Sequence, residues 1–356
     1  YYEEKLPDWV QRFNKEKNVQ KLIKDGWKTL LPIKQYTQST ADNSPWEGTL
    51  SGATSPTFPY DLNKAYAENK SSFRETPFGN TLTLAFAKAA VDGEALGNGK
   101  STDFLTINCA STDYSGHLVG PNAIEIEDVY LRLDRDLASF FSYLDKKVGK
   151  GNYLVFLSAD HGGAHAEKFM ENYKMPTGFI PSITKALNAS LAKQFGETNL
   201  VLGLMNDQVN FNNAEVEKSN IDLDKLKKAA TDFLLKRDEI QYVVDAANPG
   251  TAGIPDRIKD MIINGYNRQR SGALKIIYKS GWLSSHYKTG TTHGSWNLYD
   301  THIPLVFMGW KIPHGETNQT VHMTDISATL AALLHIQMPS GCIGDPITPL
   351  TSKVNP

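Results

Sequence analysis

A chain of 356 residues with 40% hydrophobic and 21% charged side chains can bury a sizeable core, which excludes a disordered protein. Its formal net charge of −2 argues against a nucleic-acid backbone or an anionic membrane as the main partner, since both attract strongly basic faces. No apolar run reaches the roughly 18 residues of a membrane-spanning helix, and Cys109 and Cys342 alone cannot build a disulfide framework.

The chain opens Tyr1-Tyr2-Glu3-Glu4, with neither an initiator Met nor a signal peptide, which reads as a processed or truncated product. Residues 1–80 carry little periodic apolar signal beyond a helical stretch around Leu22, Ile23 and Trp27. The segment 35–60 is crowded with Ser, Thr, Pro, Gly and Asn and predicts a long surface excursion, in which Trp46 would border a substrate entrance. The run TLTLAFAKAAV predicts a helix over 81–91.

An apolar run over 103–110, which makes Cys109 a small buried hydrophobe, predicts a strand. A long helix follows over 122–147 with Ile124, Val129, Leu133, Leu137, Phe140 and Leu144 on one face, ending in the solvated cations Lys146, Lys147 and Lys150. A second buried strand covers 153–159. Strand, helix and strand in this order predict a right-handed crossover in a parallel sheet. Helices over 183–194 and 223–235 flank an alternating stretch, 200–211, that reads as a hairpin. A helix over 254–266, strands over 273–278 and 303–308, and a helix over 325–334 capped by Thr324 complete the pattern. This is an α/β chain. It divides into an accessory, cap-like segment over 1–80 and a core over 81–356, with an inserted lobe at about 195–270.

Ligand-type residues adjoin the three core strands. Asp113-Tyr-Ser-Gly-His117 follows the first, Asp160-His161-Gly162-Gly163 follows the second, and Thr292-His293-Gly294-Ser295 precedes the last. In an open α/β sheet, ligands collect at the carboxyl ends of the strands. Histidine with carboxylate suits zinc, and a catalytic zinc takes about three protein ligands with one position open. Any one of these histidines alone would more often be structural; three Asp/His segments beside buried strands point to a two-metal site. His165 lies four residues after His161, and Asp300 and His302 are candidates to orient His293. No role is assigned to His286, His314, His322 or His335.

The motifs DYSGH, SADHGG and THGS followed by DTHIPL resemble the alkaline phosphatase superfamily, in its type I phosphodiesterase/nucleotide pyrophosphatase branch. Within it they are most like the PafA-type periplasmic alkaline phosphatases of Bacteroidetes. The resemblance implies an alkaline-phosphatase-like fold, a mainly parallel central sheet flanked by helices with inserted accessory segments. It also implies one zinc on Asp113, His117 and His293 and a second on Asp160 and His161. The second zinc of the family takes, in addition, an Asp near the N-terminus and a nucleophilic Thr or Ser. Neither Asp42 nor Asp61 ends a convincing strand, so that pair is expected on an N-terminal segment of the same protein missing from this chain.

The implied reaction is a two-step phosphoryl transfer through a covalent phospho-enzyme. Phosphate monoesters are the first expected substrates, with diesters or nucleotide pyrophosphates the alternative; a metal-binding fragment or pseudoenzyme without turnover is the non-enzyme reading. The resemblance further implies a periplasmic or secreted protein and allows calcium at a surface position, with no ligands assigned. A sulfatase is disfavoured, because Cys109 is followed by Ala-Ser-Thr and not by a C-x-[PA]-x-R motif.

Overall fold

The computed structural model describes residues 4–283 and 288–351, so His286 lies outside the described residues. Its first half is helical. α1 (Asp8–Lys15), α2 (Asn18–Ile23) and α3 (Leu62–Glu68) lead to α4 (Phe78–Gly93), where Ala and Leu recur at helical spacing. α5 (Ser111–Val119) and α6 (Ile124–Leu144) follow, and α6 closes through one wide turn over Asp145–Gly149. On the apolar stripe of α6, Leu133, Leu137, Phe140 and Leu144 pack on Leu84, Ala87 and Val91 of α4.

The segment 35–60 has little regular structure, but it is not the expected surface excursion. Trp46, Glu47, Leu50 and Tyr60 are buried, and Leu50 and Tyr60 cluster with Trp27, Leu62 and Val129 of α6. Isolated aromatic anchors supply this core without any periodicity to announce it. The fastening to α6 is polar. The fully buried Asp128 carboxylate accepts from Trp27 Nε1 at 2.7 Å, from the Leu30 N–H at 2.7 Å, from Arg132 Nε at 2.6 Å and from the Tyr36 hydroxyl.

Two further carboxyls lie buried beside it. Glu125 accepts from the Tyr60 hydroxyl and Glu47 from the Ser44 N–H at 2.8 Å, and each keeps one buried oxygen without a partner. Burial first, and then the neighbouring carboxylates, pushes Glu47 up to about 8 and Glu125 up to about 7, from an ordinary 4.5. Because the folded values are raised, the stability these groups contribute is complete below about pH 4.5 and is lost as pH rises through about 7 to 8. The urea midpoint should therefore fall between pH 6 and pH 9, and Glu47→Gln should flatten that fall. An unchanged slope in the variant would show that the carboxyls are compensated in another way.

β1 (Leu154–Ser158) is followed by α7 (Glu167–Asn172) and the short β2 (Gly178–Phe179). α8 (Thr184–Phe195), β3 (Val201–Met205), β4 (Gln208–Phe211), α9 (Asn213–Lys218), α10 (Leu223–Leu234), β5 (Ile240–Asp245), α11 (Asp256–Gly265) and β6 (Leu274–Tyr278) form a lobe. Its antiparallel sheet runs in the order β3-β4-β6-β5. The predicted hairpin is present, turning through Asn206 and Asp207 with φ of +49° and +57°, the pairing a two-residue type I′ turn requires. Leu187, Leu191, Leu226, Leu234, Val209 and Ile276 fill the lobe's own core.

β7 (Trp282–Leu283), α12 (Leu298–Thr301), β8 (Leu305–Gly309), α13 (Asp325–Leu334) and α14 (Thr348–Thr351) complete the chain. The α/β architecture is as expected, with sheets of mixed direction: β2 pairs with β7 in parallel, and β1 pairs with β8 antiparallel. The strand expected over 103–110 is not formed. Among the described residues no strand pairs with it, so its backbone joins no ladder; Ile107 and Cys109 pack on the α4–α6 cluster, while Phe104, whose ring lies 6.2 Å from Phe156 of β1, and Leu105 are exposed. At the start of α13, Thr324 makes no side-chain capping bond.

Candidate metal centre

Asp113 and His117 stand four residues apart on α5, and that spacing places both side chains on one helix face. The sequence placed them after a strand; the helix is what brings them together. The Thr291 carbonyl faces His117 Nδ1 at 2.9 Å, which selects the tautomer whose Nε2 lone pair points at Asp113, 3.4 Å away. His293 Nε2 lies 3.1 Å from His117 Nε2 and 3.4 Å from Asp113 Oδ1.

These three distances decide what the group suits. A proton on His293 Nε2 can serve only one of the other two atoms, whereas a cation between the three serves all of them at once. A tetrahedral zinc with bonds of about 2.0–2.2 Å has ligand–ligand edges of roughly 3.3–3.6 Å, close to the edges seen here. Burial, reinforced by His161, holds the His293 imidazolium below its usual range, so the neutral form that ligates is favoured, although Asp113 opposes the shift.

His161 completes a second, partial set. Its ring stacks on His293 with centroids 3.4 Å apart, and its Nε2 is 3.5 Å from Asp160 Oδ2 and 3.9 Å from Asp113 Oδ1. The Asp160 side chain is largely exposed. Asp160 and His161 therefore offer two ligand atoms at the rim of the first set.

The loops are held in register by backbone contacts that no side-chain motif reveals. The Thr291 N–H donates to the His117 carbonyl at 3.2 Å, the Gly290 N–H to Trp46 at 2.7 Å, and Ala164 to Thr292 at 3.4 Å. Thr291 Oγ1 also donates to the Ala164 carbonyl at 2.7 Å. Asp300 ties the other side: its carbonyl accepts from the Gly162 N–H at 2.7 Å, and its buried Oδ2 accepts from the Ser295 N–H at 2.6 Å. Asp300 thus links the His161 turn to the His293 turn, with no hydrogen bond to either ring among the described residues.

His165 points elsewhere, with Nδ1 at 2.7 Å from Asn122 Oδ1 and its ring stacked on Phe169; burial lowers its basicity. His302 is exposed and makes no side-chain hydrogen bond among the described residues.

At Gly162 the backbone leaves no room for a side chain. A Cβ there would overlap the Tyr299 carbonyl oxygen, a backbone atom that cannot give way. Gly162→Ala should therefore displace Asp160 and His161 and lower zinc affinity by about 10–100-fold, as measured by competition with a chelator. Unchanged affinity would show that the turn does not position the ligands.

The comparisons with known proteins bear on this geometry. Residues 2–302 match the profile of the type I phosphodiesterase/nucleotide pyrophosphatase family. The chain belongs to that family. It is 53% identical over 355 residues to alkaline phosphatase PafA of Elizabethkingia meningoseptica, covering 99% of this chain and 65% of that protein. It is 49% identical over 353 residues to a protein of Myroides odoratus named as a calcium-transporting ATPase, covering 98% of this chain and 64% of the other. The crystal structure of wild-type PafA superposes with a TM-score of 0.95 over 99% of this chain and 68% of that one, which shows the alkaline-phosphatase-like fold. The chain thus spans about two thirds of the length of these relatives.

Proposed function

We propose that this protein is a zinc-dependent phosphate-ester hydrolase that acts first on monoesters. The observation that carries this reading is the Asp113, His117 and His293 group, whose ligand atoms all lie within 4.8 Å of one another. Those three residues would hold one zinc, and Asp160 and His161 would contribute to a second. When bound, the paired ions supply Lewis-acid charge for the entering and departing oxygens and acidify a bound hydroxyl or water.

The chain's own residues do the rest. The Thr291 carbonyl fixes the His117 tautomer, Asp300 holds the two histidine turns together, and Gly162 and Gly290 allow the close approach of their loops. The nucleophilic hydroxyl and the further Asp ligand are assigned to a part of the protein outside these 356 residues, a reading supported by the greater length of the relatives. In the same reading the segment 1–80 flanks the site, the core spans 81–356 with the lobe at about 195–270, and the protein works in the periplasm or outside the cell. No helix described is long and apolar enough to cross a membrane.

Hydrolysis of 4-nitrophenyl phosphate and of its bis-aryl diester by the zinc-loaded full-length protein tests the proposal. The monoester should be cleaved with the higher kcat/KM. A higher value for the diester would favour the phosphodiesterase reading that the family's name suggests, and no cleavage of either with zinc bound would make the protein a non-catalytic metal binder.

A further inference from the structure

Residues 46–48 form a strap between two of the segments that carry metal ligands. At one end the Trp46 carbonyl accepts the Gly290 N–H at 2.7 Å, and at the other the Gly48 N–H donates to the Leu118 carbonyl at 2.9 Å. Leu118 follows His117 on α5, and Gly290 opens the stretch that leads to His293. Three residues therefore grip both carriers of the first ligand set. The fit is close at each end. A Cβ on Gly48 would overlap the Leu118 carbonyl oxygen, and one on Gly290 the His117 carbonyl oxygen. The Trp46 ring also meets Phe169 edge-on, in a small cluster with Ala166 that follows the His161 turn.

Between these contacts Glu47 turns inward. It is 4% exposed; Oε2 accepts from the Ser44 N–H at 2.8 Å, and Oε1 is buried with no partner. Six buried side-chain polar atoms lack a partner among the described residues, and five belong to Ser39, Asp42, Trp46, Glu47 and Glu125. The interior beneath the strap is thus where hydrogen bonding is least complete, and an ionised group there is costly. The charges that act on Glu47 are those of Glu125 and Asp42, both negative, and the Tyr60 hydroxyl beside them donates to Glu125. No cation acts on any of the three carboxyls among the described residues. A neutral Glu47 can stay in this interior, whereas an ionised one is drawn towards water and takes the strap with it.

We propose that Glu47 is a positioning residue for the metal centre, its buried side chain anchoring the strap that keeps His117 and His293 at ligating distance. This role rests on the metal reading above. Burial pushes Glu47 up to about 8, so the anchor is intact below that pH and is lost as pH rises through it. Glu47→Gln keeps the shape and the acceptor for the Ser44 N–H but cannot ionise.

The full-length protein and its Glu47→Gln variant are titrated with cobalt(II) at pH 6.5 and at pH 9 against a competing chelator, with the visible absorption of the bound ion as the readout. Comparing the proteins at one pH cancels the titration of the chelator. Equal affinities are expected at pH 6.5, and at least about threefold tighter binding by Glu47→Gln at pH 9, within the limit of about tenfold that one pH unit allows. Gly48→Ala pushes the strap off Leu118 without altering the carboxyl, so it should weaken cobalt binding at least about threefold at both pH values. That second variant keeps the test decisive if the first does not fold.

A Glu47 that served stability alone would move the unfolding midpoint and leave these affinity ratios at one. Equal affinity of wild type and Glu47→Gln at pH 9, or unaltered affinity in Gly48→Ala, would overturn the positioning role and leave the metal centre standing. No bound cobalt in any of the three proteins would overturn the metal reading, and the positioning role with it.

Discussion

His293→Ala in the full-length protein should lose one bound zinc and more than about a thousandfold in turnover, because a metal contributes several kcal/mol of charge stabilisation and each 1.36 kcal/mol is a factor of ten. With His293 gone, Asp113 and His117 remain as two ligands 3.4 Å apart, and a catalytic zinc takes three protein ligands. The stacking of His161 on His293 at 3.4 Å also disappears, so the second ion should bind less tightly. Metal analysis and steady-state kinetics on the same preparation check both effects, with circular dichroism as a folding control. Two zincs and normal turnover in this variant would make His293 a structural residue and refute the assignment.

Asp128→Ala should cost about 3–5 kcal/mol of stability, the range for removing one partner of a buried charged network. The carboxylate accepts four hydrogen bonds, and its loss strands the Trp27 indole N–H and the Tyr36 hydroxyl proton in the interior, while the Leu30 N–H keeps the Tyr36 hydroxyl oxygen as an acceptor at 2.9 Å. Arg132 also loses its partner, although it retains the Lys28 carbonyl at 2.6 Å. The effect should reach the site through the segment that carries Trp46, whose carbonyl receives the Gly290 N–H. Urea unfolding gives the number. A loss below about 1 kcal/mol would mean that water replaces the carboxylate, and the hub would then be incidental.

Much of the candidate site was legible because few residue types can ligate a metal, and those types stood in three short motifs. The structure brings Asp113, His117 and His293 together and sets His161 beside them. The backbone that positions them was not legible. DYSGH was set only at the end of a strand and given no helix, although the i,i+4 spacing of Asp113 and His117 was in view. The roles of the Thr291 and Asp300 carbonyls have no side-chain signature, since any residue could offer them.

The fold shows the same division. Periodic segments such as α4, α6 and the β3–β4 hairpin followed their patterns. The run 103–110 did not, because an apolar segment becomes a strand only where a neighbour offers a ladder. Glu125 and Asp128 look like the polar face of an amphipathic helix. They are buried because Trp27, Tyr36 and Tyr60, nearly a hundred residues earlier in one case, fold over them.

The central claim is that these Asp and His side chains are zinc ligands. An anomalous difference map at the zinc edge, from crystals of the zinc-loaded full-length protein, tests it most directly. The account predicts two peaks on the order of 4 Å apart, one bonded to Asp113, His117 and His293 and the other to Asp160 and His161. A map with no peak among Asp113, His117 and His293 would contradict it.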